Sequence, residues 1–295
     1  MRVFITGAGG HIGSAVVPEL LQAGHEVVGL ARSDASADAI KSMGAEVRRG
    51  DLHDLDGLRE AASAADAVIH LAFDHDALST GNFADAAGAD LAVVQALGDA
   101  LAGTGKTLIG VGMGPTGDAA LDAVISANPR STAARTIAGF TERGVRSLLV
   151  AIAPVTHSAR DRVGFLPRLI KIARGAGVSG YVGDGANRWP AAHALDVGSL
   201  FRLALDKAPA GAQLYAVAEP GVTVREIAET IGRRLGVPAV SIPADRAADH
   251  FKSFAPFITL DIPLVSTSTR ELLGWEPVHP GLITDLEEGH YFTGE

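Results

Sequence analysis

Gly7, Gly10 and Gly13 recur at every third position, directly after the apolar run Val3 to Ile5. They directly precede Ser14-Ala15-Val16-Val17-Pro18-Glu19-Leu20-Leu21, whose apolar spacing predicts an amphipathic helix. Strand, glycine turn and helix in that order build a site for a dinucleotide pyrophosphate. Without a Cβ, the glycines let backbone N–H groups approach the phosphates closely. The positive end of the following helix faces the same anion. Gly7, Gly10, His11, Ile12 and Gly13 are therefore the candidate phosphate-cradling residues, and a tight turn without a ligand is the other use of such glycines.

A second group follows the next expected strand, His25 to Ala31. An acidic residue there would accept hydrogen bonds from the adenosine ribose hydroxyls. The chain instead reads Ala31-Arg32-Ser33. Arg32 offers a guanidinium fork and Ser33 a hydroxyl, both suited to a ribose 2′-phosphate. This favours NADP(H), with NAD(H) as the alternative because Asp34 lies close enough to turn in. A solvated loop cation is the plain reading of Arg32.

Farther on, Phe73-Asp74-His75-Asp76 follows the strand Ala67 to Ala72 at the carboxyl end of the expected sheet, where ligands of such folds bind. Asp74 and His75 are candidate substrate contacts, or else belong to a solvated loop. No further convergent ligands accompany them, so no metal site is expected. His157 ends the segment Ala153-Pro154-Val155-Thr156-His157 after another strand, and its ordinary pKa near neutrality makes it the candidate for proton transfer. A structural histidine is the alternative.

The elements that must hold these residues alternate. Strands are expected at Val3–Ile5, His25–Ala31, Ala45–Arg48, Ala67–Ala72, Lys106–Val111 and Val145–Ile152, with helices between them, including a long Ala- and Leu-rich one from Asn82 to Leu101. This alternation predicts an α/β, Rossmann-type doubly wound parallel sheet with a smaller C-terminal substrate-binding lobe. The nucleotide-binding part is expected over residues 1–155 and the lobe over 156–295, the two interleaved as one compact unit. Within the lobe, Thr223 and Glu226 form a capping-box pattern. Tyr181, Arg188 and Trp189, together with Met113, are the bulky groups expected to border a substrate pocket, although Trp189 equally suits plain packing.

The spacing Thr6-Gly7-x-x-Gly10-x-Ile12-Gly13 resembles the short-chain dehydrogenase/reductase superfamily in its extended or atypical branch, the epimerase/dehydratase-like group, and the resemblance runs through nearly the whole chain. It implies that Asp51 and Leu52 form the turn facing the adenine, with helix capping as the other use of Asp51. It implies that Leu71 and Ala72 line the cofactor and that the long helix joins a homodimer interface. The pattern breaks at its catalytic residues. The superfamily places a Ser or Thr after the fifth strand, then Tyr-x-x-x-Lys on the next helix, to hold the carbonyl oxygen and move a proton. Here the strand runs into Gly112-Met113-Gly114, none of Tyr181, Tyr215 and Tyr291 has a lysine four residues on, and the helix in that place reads Pro129-Arg130-Ser131-Thr132-Ala133-Ala134-Arg135. Arg130 and Ser131 are the nearest polar substitutes, with surface positions as their plain reading. A serine hydroxyl is a poor acid without an activating neighbour, whereas Arg130 suits an oxyanion or a ribose.

Composition narrows the function classes. The 295 residues are 47% hydrophobic and 20% charged, ordinary for a globular α/β chain. A formal net charge of -9 argues against nucleic acid or an anionic membrane as partner. With no cysteine, disulfides and thiol chemistry are excluded. The N-terminal apolar run is too short for a membrane span, so a cytoplasmic protein acting on a small molecule is expected. The resulting expectation is an NAD(P)-dependent oxidoreductase for a small, apolar or aromatic carbonyl compound, with non-standard acid/base residues. Its alternatives are a redox-neutral isomerase, epimerase or cyclase, and an NADP-binding sensor without turnover.

Overall fold

A computed structural model describes residues 1–74, 82–114 and 119–293. Seven strands form its main sheet: β1 (Arg2–Thr6), β2 (Glu26–Ala31), β3 (Glu46–Arg49), β4 (Ala67–His70), β5 (Thr107–Val111), β6 (Arg146–Ile152) and β10 (Gln213–Ala216). Their spatial order is β3-β2-β1-β4-β5-β6-β10, and every pairing from β3 to β6 is parallel. The order reverses between β1 and β4, so a topological switch point lies beside the glycine turn, where such sheets bind ligands. This is the doubly wound Rossmann-type α/β fold.

The strands are near-continuous apolar runs because both faces of the sheet are covered. Val3, Phe4, Ile5, Val68, Ile69, Leu108 and Ile109 are all buried. Helices α1 (Gly13–Gln22), α2 (Asp34–Ser42) and α3 (Leu55–Ala64) follow the first three strands in turn, and α4 (Phe83–Leu101) follows β4. After β5 come α5 (Ala119–Ala127) and α6 (Ser131–Gly139). Val93, Val94 and Leu97 of α4 pack in one core with Leu58 of α3 and Ile137 of α6. Among the described residues no helix is long and apolar enough to cross a membrane.

The chain divides into two compact units at boundaries other than those its order suggests. One contains Met1–Ile152, Val197–Tyr215 and Thr267–Trp275; the other contains Ala153–Asp196, Ala216–Ser266 and Glu276–Glu295. Two late segments expected in the C-terminal lobe thus belong to the nucleotide-binding unit, for identifiable reasons. Gly198 lies so close to α1 that a Cβ would stand 2.7 Å from the Ala15 carbonyl oxygen. Arg146, at the start of β6, donates to the carbonyls of Ala204, Leu205 and Ala208 and so satisfies the end of that late helix. Trp275 is fully buried and donates from Nε1 to Ser199.

The second unit has its own core, built around Trp189 with Phe165, Phe254 and Phe257. Three strands, β7 (Val155–His157), β9 (Arg188–His193) and β11 (Glu219–Thr223), form one small sheet, and β8 (Ser179–Val182) pairs with β12 (Ala239–Ile242). The helix Val224–Leu235 begins at the expected capping box, with both the Thr223 and Glu226 halves formed. His157 and His193 pair across β7 and β9, their rings edge to face at 5.4 Å. His279 stacks on His193 at 4.9 Å and is held by Asp196 through Nδ1.

Burial, with the neighbouring His157 imidazole adding to it, pushes the His193 pKa down from 6.5 to about 4. The unfolded chain therefore binds this proton below pH ~6.5, and the folded chain only below about 4. Stability that is complete above pH ~6.5 should drain away as the pH falls towards 4. Urea unfolding at pH 7, 6, 5 and 4.5 should show this loss, and His193→Gln should flatten the part of the slope that His193 contributes.

Candidate functional site

The glycine turn is shaped by close approaches that admit no side chain. Gly7 sits at φ +74°, and a Cβ there would stand 2.7 Å from the Ala72 nitrogen. At Gly13 a Cβ would stand 2.2 Å from the Gly7 carbonyl oxygen. Gly10 differs: a Cβ would meet only the Gly7 oxygen, at 3.2 Å, and otherwise open space. The first two glycines close the turn, and the third leaves room in front of it. Behind that room, α1 begins at Ile12 with no side-chain cap and no acidic residue in its first turn. His11 stands on the same turn and its carbonyl accepts from the Ser14 hydroxyl. An uncapped helix start behind a side-chain-free turn fits a pyrophosphate.

On the β2 side, Arg32 is exposed and makes no ion pair or hydrogen bond among the described residues. Asp34 does not turn in, because Arg49 holds its carboxylate. Ser33 is the N-cap of α2, its Oγ accepting from the Ser36 N–H at 3.2 Å, and its hydroxyl proton remains to be donated. Asp51 does not cap α3; Asp54 does, accepting from the Gly57 N–H at 3.0 Å. Asp51 instead accepts from the His53 N–H and keeps 40% of its side-chain surface exposed, while Leu52 packs towards the core.

Beside the switch point lies a buried polar chain. Thr6 Oγ1 accepts from the Ala72 N–H at 3.3 Å and lies 2.6 Å from His70 Nδ1. His70 Nε2 is 3.1 Å from Asp90 Oδ1, and Arg130 Nε donates to Asp90 Oδ2 at 3.3 Å. Every contact closes if Thr6 donates to Nδ1 and Nε2–H donates to Asp90, the neutral tautomer. Burial alone would raise the Asp90 pKa, but the His70 hydrogen bond and the Arg130 charge outweigh it and hold the carboxyl below its ordinary value. His70 is thus a packed, hydrogen-bonded residue. The chain pins Leu71 and Ala72 against Gly7.

At the end of β5 the missing serine has a packing reason. A Cβ on Gly112 would stand 2.7 Å from the Ala134 Cβ of α6, and one on Gly110 would stand 2.3 Å from Ile137 Cδ1. The helix that carries Tyr and Lys in the superfamily lies flush against the strand through small and apolar side chains. Sequence reasoning missed Asp90 and Thr6. The signal for Asp90 was available: it shares a helix face with Ala86, Ala87, Val93, Val94 and Leu97, all buried.

The other expected site residues are placed as follows. His157 has no exposed surface; its Nδ1 is 2.8 Å from Asp285 Oδ2, and its buried Nε2 has no partner among the described residues. The Ser131 hydroxyl is spent locally, donating to the Ser126 carbonyl and accepting from Arg135. Trp189 is fully buried, its Nε1 donating to the Leu260 carbonyl, so it is core rather than pocket wall. Arg188 is locked in a two-bond fork on Asp261. Tyr181 lies beneath the Arg225 guanidinium and against Gly185. Met113 is half-buried after β5, Asp74 is exposed after β4, and His75 lies outside the described residues. Asp285, Glu288 and His290 bring their ligand-type atoms within 4.8 Å of one another, but Asp285 is already bonded to His157 and Glu288 is exposed.

The comparisons with known proteins agree with this geometry. The sequence profile of the NAD dependent epimerase/dehydratase family matches residues 3–111. "Uncharacterized protein C2A9.02" of Schizosaccharomyces pombe is 40% identical over 307 residues, covering 99% of this chain and all of its own length. "Uncharacterized protein YLL056C" of Saccharomyces cerevisiae is 40% identical over 299 residues, covering 98% of this chain and 99% of its own. Among solved structures, UDP-glucuronic acid 4-epimerase from Bacillus cereus, in complex with UDP-glucuronic acid and NAD, superposes with a TM-score of 0.73 at 17% identity. That match covers 99% of this chain and 98% of the epimerase. The glycine turn and the switch point lie where the family profile matches, and the chain belongs to the NAD-dependent epimerase/dehydratase family, in the extended or atypical branch of the short-chain dehydrogenases.

Proposed function

We propose that the protein is an NADP-preferring oxidoreductase acting on a small, apolar or aromatic carbonyl compound. The observation that carries this reading is the uncapped helix start behind the Gly7–Gly13 turn, with the unpaired Arg32 guanidinium at the end of β2. Gly10, Ile12 and Gly13 would cradle the pyrophosphate, Arg32 with the Ser33 hydroxyl would take the 2′-phosphate, and Asp51 would face the adenine. A bound nicotinamide supplies or accepts the hydride. The chain's own part is to orient the nucleotide across the carboxyl end of the sheet and to keep that end free of side chains at Gly7, Gly10 and Gly112.

The lack of Tyr and Lys favours a second reading, a redox-neutral isomerase, epimerase or cyclase on the same nucleotide site. Substrate screening against nucleotide oxidation separates the two, since only the first consumes NADPH in proportion to product. A homodimer built through α4 is part of the proposal.

Calorimetric titration with NADPH and NADH tests the reading. Arg32→Ala should weaken NADPH roughly tenfold to a hundredfold, the worth of a charge-assisted hydrogen bond, and leave NADH within about twofold. Equal affinity of the wild type for the two nucleotides would overturn the NADP preference. Gly7→Ala combines a forbidden φ with a backbone clash and should cost about 1–3 kcal/mol in urea unfolding while weakening both nucleotides.

A further inference from the structure

Arg130 is held in an unusual way for a cation beside a buried carboxylate. A guanidinium whose task is to neutralise a carboxylate commonly does so through two parallel N–H bonds. Arg130 meets Asp90 through Nε alone, at 3.3 Å, and among the described residues Nη1 and Nη2 make no further hydrogen bond. The face of the guanidinium rests on the Phe73 ring, with Cζ 4.0 Å from the ring centroid. Asp90 on one edge and Phe73 on one face fix the plane, and the side chain keeps only 25% of its surface exposed. The two Nη groups are thus presented as a rigid fork without an acceptor among the described residues. Little conformational entropy remains to be lost when an acceptor arrives.

The place of that fork follows from the contacts. Asp90 is bonded to His70, the last residue of β4, and Phe73 lies three residues past that strand. Arg130 therefore stands at the carboxyl end of β4, on the opposite side of the glycine turn from Arg32, which follows β2. A dinucleotide with its pyrophosphate at α1 and its adenosine over β2 must run its other half over β4. The sugar hydroxyls of that half are the acceptors a two-donor fork suits.

We propose that Asp90, itself oriented by His70 and Thr6, is the positioning residue that aims the free Nη groups of Arg130 at the nicotinamide riboside half of the bound dinucleotide. This rests on the nucleotide-binding reading above. The same buried chain that pins Ala72 behind the pyrophosphate turn thereby also sets Arg130, so both contacts come from one preorganised unit. Asp90 touches no ligand and acts through Arg130.

The test compares two ligands that differ by this half alone: NADPH, and 2′-phospho-ADP, which keeps both pyrophosphate phosphates and lacks the nicotinamide riboside. Calorimetric titrations use the full-length wild type, Arg130→Ala, Asp90→Asn, their double variant and, as the opposite control, Arg32→Ala. Arg130→Ala should bind NADPH roughly tenfold or more weakly and 2′-phospho-ADP within about twofold of wild type. Asp90→Asn should show the same selectivity with a smaller loss, and the double variant should be no weaker than Arg130→Ala alone, since the two residues act as one. Arg32→Ala should weaken both ligands. Equal losses on both ligands for Arg130→Ala, no loss on either, or additive losses in the double variant would overturn the proposal while leaving nucleotide binding intact. A wild type that binds neither ligand would overturn the nucleotide reading itself. Should Asp90→Asn fail to fold, Arg130→Lys decides alone: retaining the charge without the Nε anchor and the fork, it should keep the NADPH-only loss.

Discussion

The backbone of Leu71 and Ala72 passes so close to Gly7 that no Cβ fits between them, and much of the nucleotide-binding unit is arranged to maintain that approach. The approach needs a positive φ at Gly7, which glycine adopts without strain. It needs an acceptor for the Ala72 N–H, which would otherwise be left unpaired, and Thr6 supplies it. Thr6 has no exposed surface, so its own hydroxyl proton requires a buried acceptor, and His70 is placed to provide one. His70 then needs Asp90, and a buried carboxylate needs compensating charge, which Arg130 brings from the start of α6. One tight contact at the carboxyl end of the sheet thus accounts for polar residues on two strands and two helix segments.

That chain shows why the fold was legible in the sequence and much of the site was not. The glycine turn, the alternation of strands and helices and the Thr223–Glu226 capping box are each set by residues close in sequence, so type and spacing suffice to read them. The fate of His157 is decided by Asp285, 128 residues later in the chain, and that of Trp189 by Leu260 and three phenylalanines. No local pattern carries such pairings, so a histidine at a strand end reads as reactive until its partner is seen. Asp90 is the intermediate case: its helical spacing puts a carboxylate on an apolar face, which is itself a sign of a buried partner. Asp51 and Asp54 differ for a smaller reason. Either could cap the helix by sequence, and a shift of three residues in its start decides which one does.

Packing also explains why the superfamily's proton relay cannot be restored by one substitution. Gly110 and Gly112 let α6 settle onto β5, and Ala134 and Ile137 fill the space a serine or threonine would occupy. A hydroxyl at 112 would displace Ala134, and with it the helix segment that places Arg130. The strand end and the helix are adapted to each other, and the adaptation replaces a phenol and an ammonium with small side chains and one guanidinium.

The replacement has a chemical consequence. Arginine stays charged throughout the physiological range and accepts no hydrogen bond, so it does not hand over a proton. Ser131 has no free proton to give, and His157 is sealed inside the other unit's core. Under the proposed function, the proton that completes a carbonyl reduction then comes from water or from the substrate itself. A site built this way suits substrates whose reduced form is already a stabilised anion, such as conjugated or quinone-like carbonyl compounds. A simple ketone, whose alkoxide must be protonated as it forms, gains much less from it.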